Sequence, residues 1–221
     1  MIRDFISLIF PINCINCKQS LISEEKYLCT SCKIDLPLTN DHQNESNDLF
    51  KKFAFEPKIR SAAAYMHFNV GGITQKLLHN FKYKGQKEIG MLLGSWMAPT
   101  LDHFTFDEIV PVPLHPRKLR KRGFNQSEVI AKQISDYYKV PVNTTLIERE
   151  VYTQSQTRKS KANRWSNMQN VFSKATTDCS GKSILVVDDV ITTGATVGML
   201  CERLVEASVD QVHLASIARG N

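Results

Sequence analysis

No run in this sequence is long and apolar enough to cross a bilayer. The strongest candidate, Phe5 to Ile12, is far short of the roughly 20 residues that a helical span needs. Asp4 precedes it and no small-residue cleavage site follows, which argues against a secretory leader. Asn13 before Cys14 is a poor match to a lipoprotein cleavage site. The expectation is a short amphipathic helix packed on a cytoplasmic protein. A Gly-x-x-x-x-Gly-Lys-Ser/Thr motif is also missing, so the chain lacks the usual P-loop for nucleotides. Repeats and low-complexity tracts are missing too, which leaves ordinary globular packing. Acidic excess is lacking. The net charge is +6 with a pI near 9.0, which suits polyanionic ligands without naming one. At 221 residues, with 42% hydrophobic and 23% charged, the chain can bury one full α/β core and carry a small extra unit.

The rest of the chain is organised around Ser183-Ile-Leu-Val-Val-Asp-Asp-Val-Ile-Thr-Thr-Gly-Ala-Thr196. Ser183 to Val187 is rich in β-branched apolar residues, as a strand covered on both faces requires. Asp188 and Asp189 follow. Thr192, Thr193, Gly194 and Thr196 come next, and then Val197, Leu200, Cys201, Leu204 and Val205 recur at helical spacing. A loop that opens a helix aims free N–H groups and the positive end of the dipole at one spot, which suits a phosphate. Phosphate alone does not explain two neighbouring carboxylates. Carboxylates accept hydrogen bonds from vicinal hydroxyls, so a sugar phosphate satisfies both halves, and a 5-phosphoribosyl group has both. The magnesium-binding acid pair of a receiver domain is excluded, because too little chain follows Asp189 for that fold.

Cys14-Ile-Asn-Cys17 and Cys29-Thr-Ser-Cys32 form two C-x2-C turns, each aiming two thiolates at one point. Together they supply a tetrahedral zinc shell. The alternative, disulfides, is disfavoured in a cytoplasmic chain. The segment around them has few large apolar side chains, so metal would be its organiser. Cys179 and Cys201 read as small buried hydrophobes. Thr39 to Asp48 is polar with no apolar period and reads as a linker. The expected organisation is therefore a zinc-binding unit at 1–36, a linker at 37–56 and a main domain at 57–221.

Within the main domain, Arg60 to Phe68 reads as a strand. A helix follows on Ile73, Leu77, Leu78 and Phe81, closed near Gly85. Lys82 and Lys84 are either a solvated helix end or one of them lies near a diphosphate. Ile89 to Trp96 reads as another helix, and Phe106 to Leu114 as a strand stopped by its prolines. Next comes a basic loop, Arg117-Lys-Leu-Arg-Lys-Arg122 with Gly123, before a helix capped by Asn125 or Ser127. A basic loop between strand and helix is an anion site by position. Val140 to Ile147 reads as a strand. The long polar stretch from Thr153 to Asn167 carries Arg158, Lys159, Lys161 and Arg164 and no acid, which suits either a lid over diphosphate or a surface loop.

The order of these motifs resembles the ComF family of bacterial competence proteins. The resemblance rests on the zinc array, Pro111-Val-Pro113, Arg122-Gly-Phe-Asn-Gln126, the polar loop with Arg164 and Asn167, and the Asp188–Thr196 signature. That signature by itself resembles the phosphoribosyl-diphosphate (PRPP) signature of type I phosphoribosyltransferases. The resemblance implies a type I phosphoribosyltransferase-like α/β fold. In it a mostly parallel sheet is flanked by helices, with a small N-terminal four-cysteine zinc unit. It implies binding of magnesium and PRPP. Asp188 and Asp189 would hold the ribose, Thr192, Thr193, Gly194, Ala195 and Thr196 the 5-phosphate, and Arg117, Arg120, Arg122 and Gly123 the diphosphate. Arg164 would act in catalysis from a lid, beside the two acids. It also implies a place in natural transformation, with single-stranded DNA and a helicase-like ATPase as partners. Two functions stay open: phosphoribosyl transfer to an unknown acceptor, or a PRPP- and DNA-binding module without turnover. No hood that would read a base is evident, unless the zinc unit serves as one.

Overall fold

The computed structural model describes residues 12–22, 24–150 and 171–220. Its sheet has four parallel strands: β1 (Ile59–His67), β2 (Glu108–Pro111), β3 (Ser183–Ile191) and β4 (Gln211–Arg219), in the order β1-β4-β3-β2. Alternation along each strand sorts the two faces. Leu185 and Val187 of β3 join Ala215 and Ile217 of β4 in one core, while Ile184 and Val186 join Val212 and Leu214 in the other. The first core is covered by α3 (Ile73–Tyr83), α4 (Lys87–Met97) and α6 (Gln126–Tyr138) through Leu77, Phe81, Leu93 and Ile130. The second is covered by α7 (Ala195–Glu206) through Leu200 and Leu204, and by α2 (Asp48–Lys51) through Leu49.

Two elements differ from the sequence reading. The stretch Val140 to Ile147 is not a strand. It contributes one bridge, Val142 to Ile109, with the Ile109 N–H donating to Pro141 O and the Asn143 N–H to Ile109 O. Pro141 has no N–H to extend the ladder, and the Asn143 side chain turns the chain by accepting from the Thr145 N–H at 3.1 Å. The basic loop is a helix, α5 (Pro116–Arg122). Pro116 stands at its first position, the His115 ring accepts from the Arg117 N–H, and Gly123 closes it in the left-handed conformation at φ 80°.

The four-cysteine segment, with α1 (Thr30–Ile34), shares the first core: Cys14, Leu28, Cys29, Cys32 and Leu36 are buried with Leu77 and Phe81. The polar stretch after it lines the outer edge of β1. Leu38 bridges Met66, the Asn47 amide donates to Ala62 O at 2.7 Å, and Asp41 accepts from the Ala64 N–H. An edge strand leaves backbone groups that need partners, and polar side chains supply them.

At the far end of the sheet His213 is buried between two serines. Ser183 Oγ donates to Thr105 O at 2.7 Å, so it can only accept from His213 Nε2–H. Nδ1 then accepts from Ser61 Oγ, 2.6 Å away. The network fits the neutral ring, and burial holds the His213 pKa below its ordinary value. The unfolded chain binds this proton near pH 6.5 and the folded chain does not. Stability is therefore expected to fall as pH drops below about 6.5, by up to about 1.4 kcal/mol per pH unit, until the folded ring titrates. Urea midpoints at pH 7.5 and 5.5 should show a smaller drop for His213→Gln than for wild type. Equal drops would remove His213 as the cause.

Candidate active site

β3 does not stop at Val187. It runs on to Ile191, which holds Asp188 and Asp189 rigidly at its C-terminal end, where ligands of parallel sheets bind. Asp189 shares the parity of Leu185 and Val187, so it points towards α3. There the Lys82 ammonium lies 2.9 Å from Asp189 Oδ1. Lys84 is exposed. Asp188 Oδ1 accepts from Ser127 Oγ at 3.1 Å and from the Asp189 N–H at 2.8 Å. Asn125 is the cap of α6, accepting from the Ser127 N–H, and this places Ser127 at the acid. Burial, and next the Asp189 charge, push the Asp188 carboxyl up to about 7, while the Asp189 N–H, Lys82 and Ser127 oppose the rise.

Thr192, Thr193, Gly194, Ala195 and Thr196 line a concavity with Asp188. Gly194 precedes α7 at φ 79°, and no side chain caps the helix. The Ala195 N–H turns back to Thr193 Oγ1 at 3.5 Å, and the start of α7, Ala195 to Val197, lines the concavity. A Cβ on Gly194 would lie 2.7 Å from the Phe53 ring, so glycine is required by both conformation and space. Phe53 and its neighbour Lys52 were not foreseen. Lys52 Nζ donates to Thr192 O at 3.1 Å and to Gly220 O at 3.0 Å, pinning the loop from behind.

The helical form of α5 sorts its cations. Arg117, Arg120 and Gly123 are exposed, while Lys118 and Arg122, four apart, are half-buried. Burial, then Arg149, Arg122 and Lys82, lower the Lys118 pKa. Cations from three parts of the chain therefore converge. Arg149 is itself buried enough to be lowered, opposed by the charge of Asp188, and its guanidinium lies over Phe172. Lys118 belongs to the basic run read as an anion site, whereas Arg149 is new: an isolated arginine before a polar stretch carries no local signal. Arg164, Arg158, Lys159, Lys161 and Trp165 lie outside the described residues.

The four cysteine sulfurs Cys14, Cys17, Cys29 and Cys32 lie within 4.8 Å of one another, with Cys17 Sγ and Cys29 Sγ 3.6 Å apart. A disulfide needs about 2.05 Å. Four sulfurs at about 2.3 Å around one zinc ion stand about 3.8 Å apart, so the set fits that metal. The charges point the same way. Burial works against the Cys14 thiolate, but the N–H groups of Cys29, Cys17 and Asn16 prevail and lower it to about 6. At Cys32 the Asn16 amide favours the thiolate, yet burial and the neighbouring sulfurs push it up to about 12. Four thiolates this close need a cation. Cys179 and Cys201 are buried elsewhere, as small hydrophobes.

Residues 120–221 match the phosphoribosyl transferase domain family. Competence protein F of Haemophilus influenzae is 24% identical over 95% of this chain and 98% of its own. DNA utilization protein YhgH of Escherichia coli is 27% identical over 88% of this chain and 85% of its own. Competence protein ComFC of Bacillus subtilis is 27% identical over 63% of this chain and 56% of its own. Among solved structures, a purine phosphoribosyltransferase from Pyrococcus horikoshii is similar at 18% identity and a TM-score of 0.41, covering 58% of this chain and 70% of that one. No helix among the described residues is long and apolar enough to cross a membrane. The matched domain runs from the end of α5 through the acid pair to β4, and the likeness to competence protein F extends over the cysteines as well, so the chain is similar to the ComF proteins over nearly its whole length and has a type I phosphoribosyltransferase-like fold.

Proposed function

We propose that this protein binds magnesium and PRPP at the β3–α7 turn, transfers the phosphoribosyl group to an acceptor, and acts in DNA uptake from the cytoplasm. The observation that carries the reading is the acid pair at the end of β3 beside the uncapped start of α7. In this reading Asp188 and Asp189 accept from the ribose hydroxyls, and the N–H groups and hydroxyls of 192–196 hold the 5-phosphate. Lys118, Arg122 and Arg149 face the diphosphate, with Arg117 and Arg120 at its outer margin, and Arg164 acts in catalysis. The bond from C1 of the ribose to the diphosphate oxygen breaks, and the acceptor's lone pair forms the new bond to C1. Magnesium, when bound, neutralises the leaving diphosphate. Fixed cations and N–H dipoles stabilise the same developing charge without reorganising. The four cysteines hold a structural zinc ion.

Calorimetry of PRPP with and without magnesium, followed by assay of diphosphate release across bases, nucleotides and DNA, tests the proposal. Expected are magnesium-dependent binding and release with one acceptor class. Absence of PRPP binding would overturn it.

A second reading, a binding module without turnover, is favoured by one observation. Tyr83 is 61% exposed, and the Arg122 guanidinium lies 5.4 Å from its ring. Such a face, on a chain that also exposes Arg117 and Arg120, suits stacking and phosphate contacts on single-stranded DNA, the strand handed on by a helicase-like ATPase. Phe124 is buried and takes no part. Binding without diphosphate release, with log K falling about 0.7 per phosphate contacted as log salt rises, would select this reading.

A further inference from the structure

Lys82 sits in the last turn of α3, and its side chain is only 19% exposed against 12% for Asp189. Exposed ion pairs count for little because water screens them. This pair is largely out of water. α3 does not need it to end, because the Lys84 N–H closes on Asn80 O and Gly85 turns the chain at φ 68°. Its place is explained by what surrounds the two acids. Lys82 reaches them from α3, and Arg149 from the segment before β3. Ser127 donates to Asp188 from α6, and Lys118 of α5 faces Lys82. Two adjacent carboxylates repel each other, and a polyanionic ligand adds to that repulsion.

We infer that Lys82, held at Asp189, is a positioning residue that keeps Asp188 ionised, and so able to accept hydroxyl hydrogen bonds, while a polyanion sits beside it. The inference rests on the PRPP reading for its ligand, but not for its electrostatics. An ionised carboxylate accepts more strongly than a protonated one. Asp188 already titrates at about 7 with Lys82 present, and removal of a nearby cation raises it further. Lys82 thereby sets the lower pH limit of binding.

The test uses the full chain carrying 13C-labelled aspartate carboxyls, with Asp188→Asn to assign the signal. In ligand-free protein, Lys82→Met should raise the titration midpoint of Asp188 by about one pH unit, and Lys82→Arg should restore it. In calorimetry, Lys82→Met should weaken PRPP about tenfold at pH 6.5 and less than about threefold at pH 8.5. Lys82→Gln serves if the Met variant does not fold. An unchanged carboxyl titration overturns the inference. So does an affinity loss equal at both pH values, which would mean direct contact of Lys82 with the ligand. If the titration moves as expected but wild type binds no PRPP, the ionising role stands and the PRPP reading fails.

Discussion

Asp188→Asn combined with Asp189→Asn is expected to weaken PRPP at least tenfold in the presence of magnesium, while free diphosphate binds as well or better. PRPP is a polyanion, so the acids gain nothing from charge attraction. Their contribution is hydrogen bonds from the ribose hydroxyls, and a charged acceptor makes each worth about 1.5–3 kcal/mol. Losing about 1.4 kcal/mol is already a factor of ten in affinity. The geometry sharpens the second half of the expectation. Asp189 occupies the Lys82 ammonium at 2.9 Å, and the double variant frees that cation for any phosphate within reach. Ribose-containing and ribose-free ligands should therefore move in opposite directions. Calorimetry with PRPP and with diphosphate on one preparation decides this. Parallel weakening of both would point to a damaged site rather than lost ribose contacts.

Cys32→Ser is expected to lose the metal and to lower the stability of the main domain along with the N-terminal segment. Zinc bound by four thiolates supplies roughly 10–16 kcal/mol of apparent folding free energy in small zinc units. Whole domains are stable by only about 5–15 kcal/mol. The segment is not independent of the sheet. Cys32 is buried in the core that contains Leu77 and Phe81. Asn16 donates to Cys32 Sγ at 3.3 Å and accepts from Lys76 Nζ of α3 at 2.8 Å, so the cysteine cluster and the helix share a side chain. Lys33 lies over the Trp96 ring of α4. Elemental analysis should find about one zinc per wild-type chain. Chelator should lower the thermal midpoint of the wild type towards that of Cys32→Ser. Metal-free protein that unfolds cooperatively at the same temperature would sink the assignment.

Much of this site is local in sequence, and that part was legible. Strand, acids, hydroxyls, glycine and helix follow one another from Ser183 to Val205, and each has a propensity reason to be where it is. The two C-x2-C turns are equally local. The contacts that are not legible act across the chain. Lys82 and Asp189 are neighbours only because α3 packs on the same face of β3. Lys52 reaches Thr192 and Gly220 from a stretch whose polarity suggested a linker. Thr39 to Asp48 is polar because an edge strand needs the same polar groups as solvent does, while Leu49 and Phe53 just after it enter the second core. The basic run failed in a different way. Its charge was plain, but Pro116, His115 and Gly123 as helix boundaries were not weighed, and helicity decides which cations face inward.

The strand order has a consequence for synthesis. β1 and β2, made first, lie at opposite edges of the sheet and never pair with each other. β1 pairs only with β4 within the sheet, and β2 with β3. A growing chain that has released everything up to Cys179 thus owns two strands with no sheet to join. Its apolar residues have helices to lean on but no central layer. Closure awaits β4, whose arrival also delivers Arg219 to Asp41 and Gly220 to Lys52. Long-range pairing of this kind folds slowly and leaves apolar surface uncovered meanwhile. A chain that stops before β4 lacks the strand that joins β1 to β3, and it lacks the Gly220 carbonyl through which Lys52 is held behind Thr192.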